Sequence, residues 1–586
     1  MRTLLEEAYR ELMKLININE SENRYSINLV IKNALSQFMK QCNRPAIWCY
    51  GQHTKMLMAD FMFELKKIHY IIDNGVEDRE GEGFELIVET QIQEKKIDGI
   101  IISSWNYRNE IKNRLRENFP QVYYLDIYEE LEKVGIYLGR NYYEGEHPYS
   151  RYRIINQLQQ DINRESDERK KQEKIKKIII EFIRMKDFCT AKKYINEMPK
   201  MSGDIWGDRV SKHLQRIYCL QKEAMEKIDE NNVVMLCIDG LQQKNINKGN
   251  MRNLYGYLKK NTFWLKHAYA VSTSTYESLI PAYSENADMQ TRYYEKNEIA
   301  GENCRFIKRA KEQKRKIFFY TDGIQYIKDE DIKVTEWSQT ASEKLWEFLL
   351  DAVDEKNGLF YIHILYESHY SYPNPYTEGE LITDGMNIMF DYLKKNGGQM
   401  RTDYDKQQKD ALRYLDDILP TLLERLKCRM VLYADHGNIL IGLDERLSDV
   451  EETKYTFHED LLRVPLAVKS PEMEIKTEGL LVSIMELNRI LLGLLNKEKI
   501  IFEKKKFIKA QRSAVYNPDF QFLYKQVGYE HDLLAFEVFI FEEGYKLAVY
   551  SDGKVEVYLA ETDEQLDESY IEKKLFNQVK DEITVY

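Results

Sequence analysis

Asp435 and His436 stand side by side and offer a hard carboxylate oxygen and an imidazole nitrogen at one point of the chain. They follow Val431-Leu432-Tyr433-Ala434, whose apolar start reads as the end of a buried strand, and precede Gly437, where the backbone can turn close to a ligand. Asp239 occupies the same kind of position after Val233-Val234-Met235-Leu236-Cys237-Ile238, again with a glycine behind it. Acids and imidazoles at the carboxyl ends of strands face the crevice where open α/β sheets bind ligands. Two carboxylates and one imidazole suit zinc or manganese. A hydroxyl beside such an ion loses its proton more readily and becomes a nucleophile near neutral pH. Candidate hydroxyls lie in Val271-Ser272-Thr273-Ser274-Thr275-Tyr276-Glu277-Ser278-Leu279-Ile280-Pro281, where a helix start would leave backbone N–H groups free for phosphoryl oxygens. Two further imidazoles stand in suggestive contexts: His369 in Tyr366-Glu367-Ser368-His369-Tyr370-Ser371-Tyr372-Pro373, and His458 shortly before Arg463-Val464-Pro465-Leu466. His213, His267 and His531 have no such context and read as surface or core residues. His363, inside an apolar run, reads as a packed core histidine.

The elements that must position these residues follow from the pattern along the chain. At 586 residues, 43% hydrophobic and 31% charged, the chain is globular and too long for one core. Residues 1–147 read as a Rossmann-like α/β domain: helices over 1–40, a strand Ala46–Tyr50, a glycine turn and helix, then strands near 69–72, 99–102 and 121–125. A full Gly-x-Gly-x-x-Gly is missing there, so a scaffold or regulatory role is the expectation rather than a dinucleotide cofactor. Residues 148–230 read as a helical spacer, its basic stretch Arg169–Lys177 forming a solvated face. From 231 to 500, continuous apolar runs alternate with helices, which predicts a mostly parallel sheet covered on both faces. Residues 501–586 read as a small α+β domain containing a hairpin with an Asp552-Gly553 turn between Tyr545–Tyr550 and Lys554–Leu559.

The net charge of −12 gives no electrostatic case for nucleic-acid binding. No apolar run approaches the roughly 18 residues needed to span a bilayer, and no apolar signal core follows Met1. The seven cysteines are scattered without a Cys-x-x-Cys pair, which fits a reducing cytoplasm and argues against a cysteine-based zinc site.

Taken in order, a strand ending in Asp239, the Thr-rich turn before a helix, Ser368-His369, Asp435-His436-Gly437 and His458 before Arg463-Val464-Pro465-Leu466 resemble the alkaline phosphatase superfamily. The sulfatase-like branch is nearest, with the catalytic domains of lipoteichoic acid synthase and phosphoethanolamine transferases, over about 232–500. Tyr414-Leu415-Asp416-Asp417 resembles the long helix before the Asp-His-Gly strand in that family. The resemblance implies an alkaline-phosphatase-like sheet sandwiched by helices, with a divalent ion held by Asp239, Thr275, Asp435, His436 and His458. It makes Thr275 the nucleophile that forms a phospho-threonine, with Thr273 as the alternative. His369 and His458 would be catalytic, holding a second metal or binding phosphoryl oxygens and protonating the leaving group.

The chain also departs from the family. Thr275-Tyr276-Glu277-Ser278 is not the Cys/Ser-x-Pro-x-Arg of formylglycine sulfatases, which disfavours sulfate-ester hydrolysis. The Asp that two-metal members often carry four residues before His369 is Leu365 here, leaving Glu367 as a conceivable substitute. The expectation is thus a metal-dependent phosphoryl transferase or phosphoester hydrolase acting on a phosphoester-containing small molecule, glycan or cell-envelope precursor. The rival readings are a catalytically degenerate scaffold and a strict sulfatase.

Overall fold

The computed structural model describes residues 1–16, 24–73, 84–105, 107–136, 138, 142, 148–198, 205–286, 299–322, 326–335, 338–369, 371–379, 381, 397–438, 457–514, 530–567 and 569–585. They form two compact units, Tyr9–Arg151 and a larger one of Met1–Ala8 with Tyr152–Tyr586.

The smaller unit is built on five short strands: β1 (Pro45–Trp48), β2 (Tyr70–Ile72), β3 (Glu85–Ile87), β4 (Gly99–Ile102) and β5 (Tyr123–Asp126). All pair in parallel, in the order β3-β2-β1-β4-β5. The chain reverses its winding between β1 and β4, which is the doubly wound arrangement. Ile47, Ile71 and Ile101 face helices α1 (Arg24–Gln41), α2 (Gln52–Asp60) and α4 (Ile127–Lys133) on one side. Trp48, Ile72, Ile100 and Ile102 face α3 (Arg108–Asn118) on the other. Sequence reading missed β3, because Glu85-Leu86-Ile87 is too short and polar to register as an apolar run.

The larger unit is organised on an eight-stranded sheet: β6 (Val233–Ile238), β7 (Phe263–Tyr269), β8 (Lys316–Tyr320), β9 (Ile332–Val334), β10 (Gly358–Ile364), β11 (Arg429–Tyr433), β12 (Arg463–Lys469) and β13 (Lys476–Ser483). The order is β9-β8-β10-β6-β11-β12-β7-β13. Every pairing is parallel except the two made by β12, which runs antiparallel to β11 and β7. β6 lies fourth from one edge, and all six of its residues are buried, as a continuous apolar run demands of a strand covered on both faces. The β7 run was not visible as a strand because Lys266 and His267 interrupt its apolar pattern.

Helices α5 (Pro148–Arg164), α6 (Glu168–Arg184), α7 (Phe188–Glu197) and α8 (Ile205–Lys227) make up the segment expected as a spacer. From Tyr152 onward it is fastened to the sheet unit by buried polar contacts. Tyr152 Oη donates to Glu367 across 2.5 Å, and Tyr414 Oη donates to Asp187 across 2.9 Å. Three helices of the sheet unit matter for the site: α9 (Thr275–Ser284), α10 (Ala341–Ala352) and α11 (Gly397–Leu423), the last carrying Tyr414-Leu415-Asp416-Asp417. After α12 (Leu487–Asn496), an antiparallel sheet of β14 (Phe507–Arg512), β15 (Phe536–Phe541), β16 (Tyr545–Tyr550), β17 (Val555–Leu559) and β18 (Gln565–Leu566) follows in sequential order. The expected hairpin is present: Tyr545 pairs with Leu559 and Val549 with Val555, and Gly553 takes φ +86° in the turn.

Buried Asn232, just before β6, sets the start of the central strands. Its Oδ1 accepts the Gly358 N–H at 2.7 Å, and its Nδ2 donates to the Glu355 carbonyl at 2.8 Å. Replacing Asn232 with Ala leaves these buried backbone groups unpaired. The expected cost is about 1–3 kcal/mol, read as a lower urea midpoint with an unchanged slope.

Candidate active site

The register of β6 against β11 builds the site. Cys237 pairs with Tyr433, so two residues further on each strand delivers an aspartate, Asp239 and Asp435, to the same end of the sheet. Both are fully buried. Two glycines make the approach possible. Gly240 has φ +65°, and a side chain there would run into Asn438. A Cβ on Gly437 would lie 1.9 Å from the Asp460 carbonyl oxygen.

Each ligand-type side chain has one polar atom fastened by the protein and one aimed inward. Asp239 Oδ2 is 2.9 Å from His363 Nε2, while its Oδ1 makes no hydrogen bond among the described residues. Asp435 Oδ1 accepts the Gly240 N–H at 3.2 Å, and its Oδ2 is likewise bare. His436 Nδ1 lies 2.7 Å from the Gly437 carbonyl oxygen, which only a protonated Nδ1 can satisfy. Nε2 is then the nitrogen turned inward, the one a metal would take. His436 Nε2 is 3.8 Å from Asp239 Oδ1 and 3.5 Å from Asp435 Oδ2, and one donor atom from each residue lies within 4.8 Å of the others. Donors at about 2.0 Å from a tetrahedral zinc stand roughly 3.3 Å apart, close to the 3.8 and 3.5 Å that His436 Nε2 keeps from the two carboxylates.

The electrostatics point the same way. Burial is the largest influence on Asp239 and opposes its ionisation, yet His369, His363 and His436 together hold its carboxyl below the usual range. Burial, then the Asp239 charge, pushes Asp435 up, and His436 only partly offsets this. Two buried carboxylates side by side cannot both ionise comfortably, and a divalent cation removes the conflict. The donor set therefore fits such an ion.

Thr275 is the first residue of α9. Its Oγ1 lies 3.2 Å from His436 Nε2 and 3.4 Å from Asp239 Oδ2. Ser274 before it makes no side-chain cap, so the first-turn amides are not taken up by that side chain. Thr273 is 1% exposed, whereas Thr275 is partly open. Ser278, one turn into α9, donates to the Asp435 carbonyl at 2.6 Å and locks the helix to β11. His369 stands at the mouth, 24% exposed, with Nε2 3.9 Å from Asp239 Oδ1.

The structure thus gathers Asp239, Thr275, Asp435, His436 and His369, and treats two other residues differently from expectation. The His458 ring, expected as a ligand and catalytic group, is engaged elsewhere. Its Nδ1 accepts the Asp460 N–H at 3.1 Å and its Nε2 lies 3.3 Å from Asp563 Oδ2, beside a cavity of about 470 Å³ also lined by Gln242, Lys244, Lys266 and Arg463. Glu367, the conceivable substitute ligand, is buried and accepts from Tyr152 and from the Ala341 N–H at 2.8 Å, which ties it to the start of α10.

Sequence reading also missed three residues. His363 is buried as expected of a core histidine, but it touches Asp239. Asn438 donates to the Gly240 carbonyl at 3.3 Å and the Ser368 carbonyl at 3.5 Å, bridging three strand ends. Ser278 is the third. None had a local signal, because each partner lies far along the chain.

A sign reversal tests the centre. Asp435→Asn removes a buried like charge, so the metal-free variant is expected to melt at or above the wild-type temperature. Zinc at a hundredfold its dissociation constant should stabilise the wild type by about 2.7 kcal/mol and the variant hardly at all. Equal zinc-induced shifts in a thermal melt would contradict the assignment.

No family model matches the sequence, and no curated protein does. Among solved structures, the chain is similar to a 2-O GAG sulfatase at 11% identity, covering 60% of this chain and 91% of that one with a TM-score of 0.44. It is similar to a phosphonate monoester hydrolase from Silicibacter pomeroyi at 10% identity, covering 60% and 96% with a TM-score of 0.42. The C-terminal periplasmic domain of EptC from Escherichia coli, in complex with zinc, matches at 13% identity over 46% and 82% with a TM-score of 0.32.

Proposed function

We propose that residues 231–500 form a metal-dependent phosphoryl-group enzyme, a transferase or a phosphoester hydrolase, with Thr275 as its nucleophile. The substrate is a phosphoester-bearing small molecule or glycan, such as a cell-envelope precursor, handled in the cytoplasm. One observation carries the reading: a partly open hydroxyl at the start of a helix lies 3.2 Å from the inward nitrogen of His436 and 3.4 Å from a carboxylate of the same donor cluster.

Asp239, Asp435 and His436 would hold a zinc or manganese ion, whose charge lowers the pKa of a neighbouring hydroxyl and polarises a phosphoryl oxygen. Thr275 Oγ1 attacks phosphorus, and its proton leaves toward Asp239 Oδ2, the acceptor it already faces. The first-turn amides of α9 bind the non-bridging oxygens. The bond from phosphorus to the leaving oxygen breaks, and His369, at the mouth, donates the proton that oxygen needs. Water or an acceptor hydroxyl then attacks the phospho-threonine and restores Thr275. His458, held by Asp563, has no step in this scheme. A scaffold that had lost its chemistry would not need three inward donor atoms beside an open hydroxyl.

Thr275→Ala is expected to lower kcat by roughly a thousandfold or more on a panel of phosphomonoesters and phosphodiesters, with zinc affinity within a few-fold of wild type. Thr275→Ser should keep a measurable part. Intact-mass measurement should show an increment on the wild type, mapping to Thr275, whose size names the transferred group. Full turnover by Thr275→Ala on every substrate would refute the nucleophile.

A further inference from the structure

We propose that His363, backed by Tyr326, is a positioning residue that fixes which oxygen of Asp239 is offered to the metal. The assignment rests on the metal centre of the proposed reading but concerns a residue outside the donor set. A carboxylate on a single side-chain torsion can present either oxygen, or neither, to an ion. In this site the choice is made by a buried chain of polar contacts. Tyr326 Oη lies 3.0 Å from His363 Nδ1, and His363 Nε2 lies 2.9 Å from Asp239 Oδ2. Tyr326 and His363 are each 1% exposed. The ionised carboxylate accepts only, so Nε2 carries the proton and Nδ1 accepts from the phenol. With Oδ2 fastened in this way, Oδ1 is the oxygen that remains bare, 3.8 Å from His436 Nε2.

The imidazole is itself held from every side. In β10 it sits opposite Cys237 of β6, two residues before Asp239, and the Asp239 N–H donates to the Ile364 carbonyl at 2.9 Å. Its ring stacks on Tyr361 at 5.8 Å and 16°. Buried Lys344 donates to its carbonyl oxygen at 2.5 Å. Tyr326 directly precedes the short strand Ile327–Lys328, which pairs with Ile299–Ala300, and its own carbonyl accepts the Ile299 N–H at 3.0 Å, which anchors its backbone. A histidine kept only for packing would not need both ring nitrogens matched to partners of opposite polarity, one of them the accepting carboxylate of Asp239. Outer hydrogen bonds of this kind orient metal ligands, and their loss typically weakens metal binding about 10- to 100-fold.

The experiment measures the zinc dissociation constant by competition with a chromophoric chelator on the full chain, for wild type, His363→Ala, His363→Gln and Tyr326→Phe, with thermal melts of the metal-free proteins as a folding control. Gln places a donor nitrogen close to where Nε2 stands. The expected result is a 10- to 100-fold weaker constant for His363→Ala, recovery to within a few-fold for His363→Gln and a smaller loss for Tyr326→Phe. His363→Ala binding zinc like the wild type while folded would overturn the positioning role and leave the centre standing. So would weakening in His363→Ala and His363→Gln alike, since the donor would then not matter. A wild type that binds no zinc would overturn the centre itself, together with this assignment.

Discussion

Two buried aspartates set side by side, Asp239 and Asp435, set the terms for the larger unit. Asp239 and Asp435 are fully buried, and among the described residues each has one oxygen tied down and one without a hydrogen bond. A buried, uncompensated carboxylate costs several kcal/mol even after relaxation, and two together cost more than either alone. The fold accepts that cost at one end of its central strands. Burial opposes ionisation of both; the neighbouring imidazoles nonetheless hold Asp239 low, while Asp239 adds to the upward push on Asp435.

Much of the surrounding structure serves to keep those groups in place. Parallel pairing of β6 with β11 brings the aspartates level, and pairing of β6 with β10 brings His363 alongside. Ser278 locks α9 to β11, which puts Thr275 over the donor cluster. Glycine at 240 and 437 lets the turns close where any side chain would collide. Glu367, Tyr152 and the start of α10 form a buried junction two residues from His369, so the helices before the sheet brace the mouth of the site. Rigid strands and locked turns are what a preorganised centre needs, because a misplacement of an ångström would forfeit much of its effect.

The sequence made the centre legible where chemistry interrupts an apolar run. Val233–Ile238 and Arg429–Tyr433 announce buried strands, and the acids that end them stand out for that reason. The helix–strand alternation foretold a mostly parallel sheet, and the Asp-Gly turn foretold the C-terminal hairpin. What stayed hidden depends on partners remote in the chain. His458 read as a ligand from its place before Arg463-Val464-Pro465, but Asp563, about a hundred residues further on, takes its Nε2. His363 read as core because an apolar strand surrounds it, and only the register against β6 shows that it faces Asp239. The antiparallel insertion of β12 between β11 and β7 had no sequence signal either, since β7 carries Lys266 and His267 within its run.

The most direct test of the account is a crystal structure of the full chain grown with zinc, with anomalous diffraction recorded on both sides of the zinc edge. The account predicts one strong anomalous peak bonded to Asp239 Oδ1, Asp435 Oδ2 and His436 Nε2, with Thr275 Oγ1 beside it. A peak bound instead by His458 and Asp563, with the Asp239–Asp435 pocket empty, would contradict it.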